Sequence, residues 1–209
     1  MTEQKIGIAN KETFGIEGIH TFTLCDMRDK RAWNLQCLIE GVIAKRQQLL
    51  KTTKATAQQL HTLWQEYRWY VDQLNRRFAV EQQTIKNITT TAGRSVVAQR
   101  LSGTTTYTGI VNYCALGTSA TSPTVGDTKL GTETYRKALS SCTFSSNIAY
   151  LEEFFTSTEV TGTFQEYGFF IDGTGTVDSG QLWNRFTAAQ AKTNVQSLNV
   201  QSIITLSNV

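Results

Sequence analysis

The chain has 209 residues, enough for one good core or two small domains, and 40% of them are hydrophobic, which excludes a disordered tail. Its net charge of +3 is uneven: basic residues outnumber acidic ones between 28 and 86, scattered along a helical stretch. That spread reads as a solvated helix face, so nucleic acid is not an expected partner, and no apolar run reaches the length of about 18 residues that a membrane span needs.

The start, Met1-Thr2-Glu3-Gln4-Lys5, lacks the apolar core of a signal peptide, so synthesis and use without export are expected. Residues 1–30 form the first piece. From Ile19 to Leu24 apolar and polar residues alternate, with Thr21 and Thr23 opposite Phe22 and Leu24, which is the period of a strand. Residues 26–31 read as a charged turn.

The period changes in the second piece, residues 31–86. Leu35, Leu38, Ile39, Val42, Ile43, Leu49 and Leu50 recur at helical spacing, as do Leu60, Leu63, Trp64, Tyr67, Val71, Leu74 and Phe78. The β-branched stretch 52–56 between them lowers helix propensity. The expectation is a helical hairpin, about 33–51 and 56–84, with one long helix as the alternative because no Gly or Pro forces the turn. Trp64, Tyr67, Trp69 and Tyr70 crowd the second helix and cannot all share one stripe. They are candidate interface residues, or a wide core face.

The third piece, residues 87–209, is rich in Thr, Ser and Gly. Residues 95–101 read as a short helix. Strands are expected at 109–117, 134–144, 147–155, 164–171, 181–188 and 196–206, with turn signals at Gly126-Asp127, Ser146-Asn147, Asp172-Gly173 and Ser179-Gly180. Short strands at this spacing imply a β-sandwich. The expected fold class is α+β: an antiparallel β-sandwich with an inserted α-helical hairpin, or one long helix. Residues 19–24 are expected to pair with a strand from the C-terminal half, which makes the helices an insertion.

Candidate chemistry is sparse. Cys25, Cys37, Cys114 and Cys142 lack the paired spacing of a zinc site and read as small buried hydrophobes. His20 and His61 have no nucleophile in a local signature and read as structural. Glu152 and Glu153 are adjacent on a strand, so they point to opposite faces and cannot act as a glycosidase pair. No catalytic, cofactor-binding or metal-binding residue is expected, and no enzymatic activity. Gly117 and Gly168 read as points of close packing or of unusual backbone angles. Glu133 and Arg136 read as an ion pair, with Glu166 a candidate partner from another strand.

The run Ala115-Leu116-Gly117-Thr118, then Gly126-Asp127-Thr128-Lys129-Leu130, then Glu133-Thr134-Tyr135-Arg136 resembles the attachment domain of bacteriophage tail fibres of the tail-collar type. Glu166-Tyr167-Gly168-Phe169-Phe170 resembles that family's second motif, and Asn87–Arg94 is similar to a segment that often precedes it. The resemblance covers about 87–206. It differs in that this domain closes a short chain, without receptor-binding repeats. It implies a structural protein of a tailed-phage virion: a tail-fibre, collar or baseplate adaptor. Its partners would be other virion proteins and copies of itself, as a trimer on the fibre analogy, and its place the phage tail or neck after assembly in the host cytoplasm. Two alternatives are a receptor- or glycan-binding fibre tip, using Tyr107, Tyr113 and Tyr150, and a capsid decoration protein.

Overall fold

Residues 14–52, 55–86 and 88–208 are described by a computed structural model. The N-terminal residues Met1–Lys5, the Thr53-Lys54 part of the inter-helix turn, and Asn87 lie outside the described residues.

The chain runs β1 (Phe14–Asp26), α1 (Lys30–Leu50), α2 (Ala57–Phe78), β2 (Ala79–Lys86), β3 (Ile88–Thr89), α3 (Thr91–Leu101) and β4 (Val111–Gly117). It continues through β5 (Glu133–Ala138), β6 (Ser141–Ser145), β7 (Ile148–Phe155), β8 (Gly162–Ile171), β9 (Gln181–Lys192) and β10 (Gln196–Asn208). These strands make two five-stranded antiparallel sheets, in the orders β2-β1-β10-β7-β6 and β3-β9-β8-β4-β5. The fold is an α+β two-sheet sandwich.

Alternation in β1 decides which side chains face which layer. Phe22 and Leu24 point between the sheets, where they meet Leu198 and Val200 of β10, Leu151 and Phe155 of β7, and Tyr167, Phe169 and Phe186 of the second sheet. The rings interlock, with Phe22 and Tyr167 centroids 4.5 Å apart and Tyr167 and Phe186 stacked at 5.7 Å. Burying such a residue contributes about 1.5–3 kcal/mol relative to exposure. His20 is buried in this layer, its ring stacked on Phe186 at 3.9 Å.

β1 pairs along its whole length with β10, from Phe14 opposite Asn208 to Asp26 opposite Gln196. Residues 19–24 thus pair with a strand of the C-terminal half. Its other edge pairs with β2, so α1 and α2 are an insertion between two neighbouring strands.

The helices form a hairpin, not one long rod. Asp29 caps α1, accepting from Arg31 N at 2.8 Å. Thr56 and Gln59 cap α2 reciprocally, Gln59 N donating to Thr56 Oγ1 at 3.2 Å and Thr56 N to Gln59 Oε1 at 2.9 Å. Ile39, Val42, Ile43, Tyr67, Val71 and Leu74 bury their stripe with Cys25, Met27 and Phe154 on the outer face of the first sheet. Leu38 and Leu50, expected in the stripe, are exposed. Buried Gln36 takes a place in it, accepting from Ser157 N at 3.0 Å and donating to Glu40 at 2.9 Å.

Several elements are longer than expected: β1 runs from Phe14 to Asp26, α3 starts at Thr91 rather than 95, and β9 reaches Lys192 rather than 188. Two further differences change the topology. The second helix ends at Phe78, not near 84, because Ala79 turns extended (φ −62°, ψ 128°) and 79–86 pair with β1. Pairing satisfies the backbone of this weakly helical segment at the sheet edge. The expected strand 134–144 is two strands, β5 in the second sheet and β6 in the first. The chain crosses at Leu139-Ser140, where Leu139 is buried in the inter-sheet core and Ser140 N donates to Glu153 Oε2 at 2.6 Å.

Candidate functional site: two arginine staples and the face of α2

The motif residues converge on the outer face of the second sheet. Register places Gly117 of β4 beside Glu166 of β8, and Gly168 of β8 beside Arg185 of β9. Both glycines hold a strand position that any side chain would block. A Cβ at 117 would lie 2.5 Å from Glu166 Oε1 and would also strike Thr132 O, and a Cβ at 168 would lie 2.9 Å from Leu130 Cδ2. Gly117 makes room for a carboxylate, and Gly168 for the leucine that ends the Gly126–Leu130 run. Leu130 there completes a small apolar cluster with Ala115, Phe170 and Leu182.

Glu166 is fully buried and its carboxylate is saturated. It accepts from Ser119 N at 3.2 Å, Gly131 N at 2.8 Å, Thr132 N at 2.6 Å and Arg185 Nε at 2.8 Å. Arg185, also buried, reaches Asp127 Oδ2 at 2.8 Å and Thr121 O at 3.0 Å. The loop 118–132 is therefore stapled to the sheet at both ends and in the middle. Partial burial pushes the Asp127 carboxyl up, but the hydrogen bonds from Thr124 and Arg185 together outweigh it and hold the carboxyl below the usual range. Glu166 was expected to join Glu133 and Arg136. It does not: its cation is Arg185, on the neighbouring strand.

Glu133 and Arg136 form the second staple. Arg136 Nη2 donates to Glu133 Oε2 at 2.7 Å with both side chains buried. Its Nη1 donates to Thr174 O at 3.1 Å and to Ser179 Oγ at 2.7 Å, so it fixes the loop after β8. The guanidinium also lies over the Phe170 ring at 4.6 Å. Each arginine thus satisfies a buried carboxylate and ties down one loop, Arg185 through Asp127 and the Thr121 carbonyl and Arg136 through the Thr174 and Ser179 carbonyls, which is how a buried charge is tolerated.

The four aromatic candidates on α2 part company. Tyr67 is core, its hydroxyl donating to Asn199 Oδ1 at 3.4 Å. Trp64 and Tyr70 are half-buried; Trp64 packs against Tyr150 of β7 at 5.5 Å. Trp69 is 58% exposed and meets Tyr70 edge-on at 5.0 Å. Only Trp69 remains as an outward-facing anchor. Phe144, on the edge strand β6, is 73% exposed and was not singled out from the sequence.

Tyr113 and Tyr150 sit in β4 and β7, so of the three aromatics assigned to a fibre tip only Tyr107 lies in a loop. The cysteines are not uniformly buried: Cys25 and Cys114 are, Cys142 is half-buried and Cys37 is exposed. Glu152 and Glu153 do face opposite ways. Glu152 meets Arg68 of α2 at 2.6 Å, and Glu153 meets Lys137 of β5 at 3.3 Å. Arg185 does not stand out in the sequence, because β9 also carries Gln181, Asn184, Thr187, Gln190 and Lys192; the one signal is a charged residue set between Trp183 and Phe186.

No protein-family model matches the chain, and comparisons with curated proteins and with solved structures return no match.

Proposed function

We propose that this chain is a structural docking protein without catalytic activity, serving as a tail-fibre, collar or baseplate component of a tailed-phage virion. The observation that carries the reading is the use made of the motif residues. Gly117, Glu133, Arg136, Glu166 and Gly168 are consumed in close packing and in stapling two loops to a sheet. Their charges are matched within the fold, as suits a scaffold, and none is left poised over a cleft as an acid or base would be. The likeness of those motifs to tail-fibre attachment domains supplies the biological setting. Exposed Trp69 and Phe144 supply apolar anchors of the kind that interfaces use.

Placement of a tagged chain in imaged phage particles tests the proposal. Density at the tail or neck supports it. Density on the capsid shell favours a decoration protein instead, and particles lacking the chain exclude a virion role. Solution mass measurement adds the oligomeric state: a trimer fits a fibre component, whereas a stable monomer argues against it.

A further inference from the structure

The outer face of the first sheet turns polar beneath one flank of α2. Register places Thr84, Thr21, Gln201 and Glu152 in one row across β2, β1, β10 and β7. The next row runs Gln82, Thr23 and Asn199. A helix laid on a sheet ordinarily meets apolar residues there. Here the flank carrying Arg68, Asp72, Asn75 and Arg76 stands over these rows, and a cleft of about 250 Å³ separates the two.

The cleft's charges are already matched. Arg68 pairs with Glu152 at 2.6 Å, a bond that Gln201 reinforces from 3.0 Å, and Arg76 pairs with Asp72 at 2.8 Å. Two side-chain amides are oriented by neighbours through their oxygens. Asn199 Oδ1 accepts from Tyr67 and Asn75 Oδ1 from the Cys25 thiol, which leaves each Nδ2 to donate. Thr23 is 1% exposed, lines the cleft, and its Oγ1 has no hydrogen-bond partner among the described residues. A buried hydroxyl of that kind calls for an explanation, since such groups are normally satisfied.

We propose that this cleft binds a neutral polyhydroxylated ligand the size of one sugar ring. Hydroxyl groups both donate and accept, as the Thr and amide side chains here do. A phosphate or carboxylate would require an unmatched cation. The volume lies below the roughly 300–1,000 Å³ typical of drug-sized ligands, which sets the size. The cleft stands on its own geometry and does not rest on the assembly reading.

Saturation-transfer NMR on the full chain tests this, with glucose, galactose, mannose and N-acetylglucosamine as separate millimolar probes and inorganic phosphate as the anionic control. At least one sugar is expected to receive saturation. Thr23→Val is expected to weaken that binding about tenfold, the worth of one good hydrogen bond, without lowering the melting temperature, because it removes a hydroxyl that has no partner. Gln82→Ala, on the exposed edge strand, is expected to weaken binding with the fold intact. No transfer from any of the four sugars would overturn the proposal. So would undiminished binding in both variants, binding of phosphate alone, or a T23V protein that melts well below the wild type.

Discussion

Arg185 donates its Nε to Glu166 Oε2 at 2.8 Å, and both side chains are shut away from solvent, on adjoining strands of the second sheet. The pair is the keystone of the 118–132 loop. Arg185→Met leaves a buried carboxylate without its cation, held only by backbone N–H groups, and releases Asp127, so a loss of about 3–5 kcal/mol is expected. Urea unfolding measures it. A midpoint equal to the wild type would show that the carboxylate is not trapped.

Glycines 117 and 168 differ in what an added methyl meets. At 168 its nearest contacts are the flexible ends of Leu130 and Leu182, with the Asn184 carbonyl further off at 3.1 Å, so Gly168→Ala is expected to cost about 1–3 kcal/mol. At 117 it meets the backbone oxygen of Thr132 and the pinned Glu166 carboxylate, so Gly117→Ala is expected to cost more. Thermal melting of the two variants side by side gives the order, and the reverse order would refute this account.

Glu153 carries a pH dependence. Burial pushes its carboxyl up to about 7, against the opposing pulls of Lys137 and Ser140. Burial also works against the Lys137 ammonium, yet Glu153 and Glu159 hold its pKa above the ordinary lysine value. Between the ordinary glutamate range and pH 7 the folded state binds the Glu153 proton more tightly than the unfolded state. Its contribution is therefore full below that range and is lost as pH rises through about 7. Glu153→Gln should flatten this part of the stability profile, read as urea midpoints across the window. An unchanged slope would assign the proton elsewhere.

Thiol reactivity should follow exposure. Burial pushes the Cys25 thiol up to about 12 and raises Cys114 well above its ordinary value, while Cys37 stands on the open face of α1. A disulfide reagent added to the native protein is expected to modify Cys37 first and to reach Cys25 and Cys114 only on unfolding. Mass mapping of the labelled peptides checks the order, and early labelling of Cys114 would contradict the buried placement.

Much of this fold was legible in the sequence wherever one face of an element is apolar and the other polar. Residues 19–24 announce a strand because Phe22 and Leu24 enter the inter-sheet core while Thr21 and Thr23 take the opposite face, although α2 covers Thr23 there. The helical stripe of α2 is equally plain, whereas that of α1 is blurred by exposed Leu38 and Leu50 and buried Gln36. Legibility fails where burial leaves no period. Ala79–Lys86 is almost wholly exposed, so β2 carries no alternation and its Glu and Gln residues extend the helical pattern. The break between β5 and β6 is hidden because Leu139 and Ser140 are buried at the crossing, which makes one continuous strand look natural. In the staples the acids and glycines stood out by type, but the choice of Arg185 over Arg136 for Glu166 depends on the register of β8 against β9. The polar rows under α2 could not be read as rows at all, since Thr23, Asn199 and Gln82 meet only through pairings of distant strands.

The pairing of β1 with β10 sets a schedule for the ribosome. β1 finds its central neighbour only when β10 has been made. Until then Phe22 and Leu24 lack Leu198 and Val200, and the first sheet is split, with β1 and β2 severed from β7 and β6. Contacts this distant in sequence make folding slow and leave strand edges open meanwhile. Ribosome-bound chains stalled after β9 should accordingly be cut by protease between β1 and β2, while chains that include β10 resist, so synthesis of β10 acts as the trigger for folding.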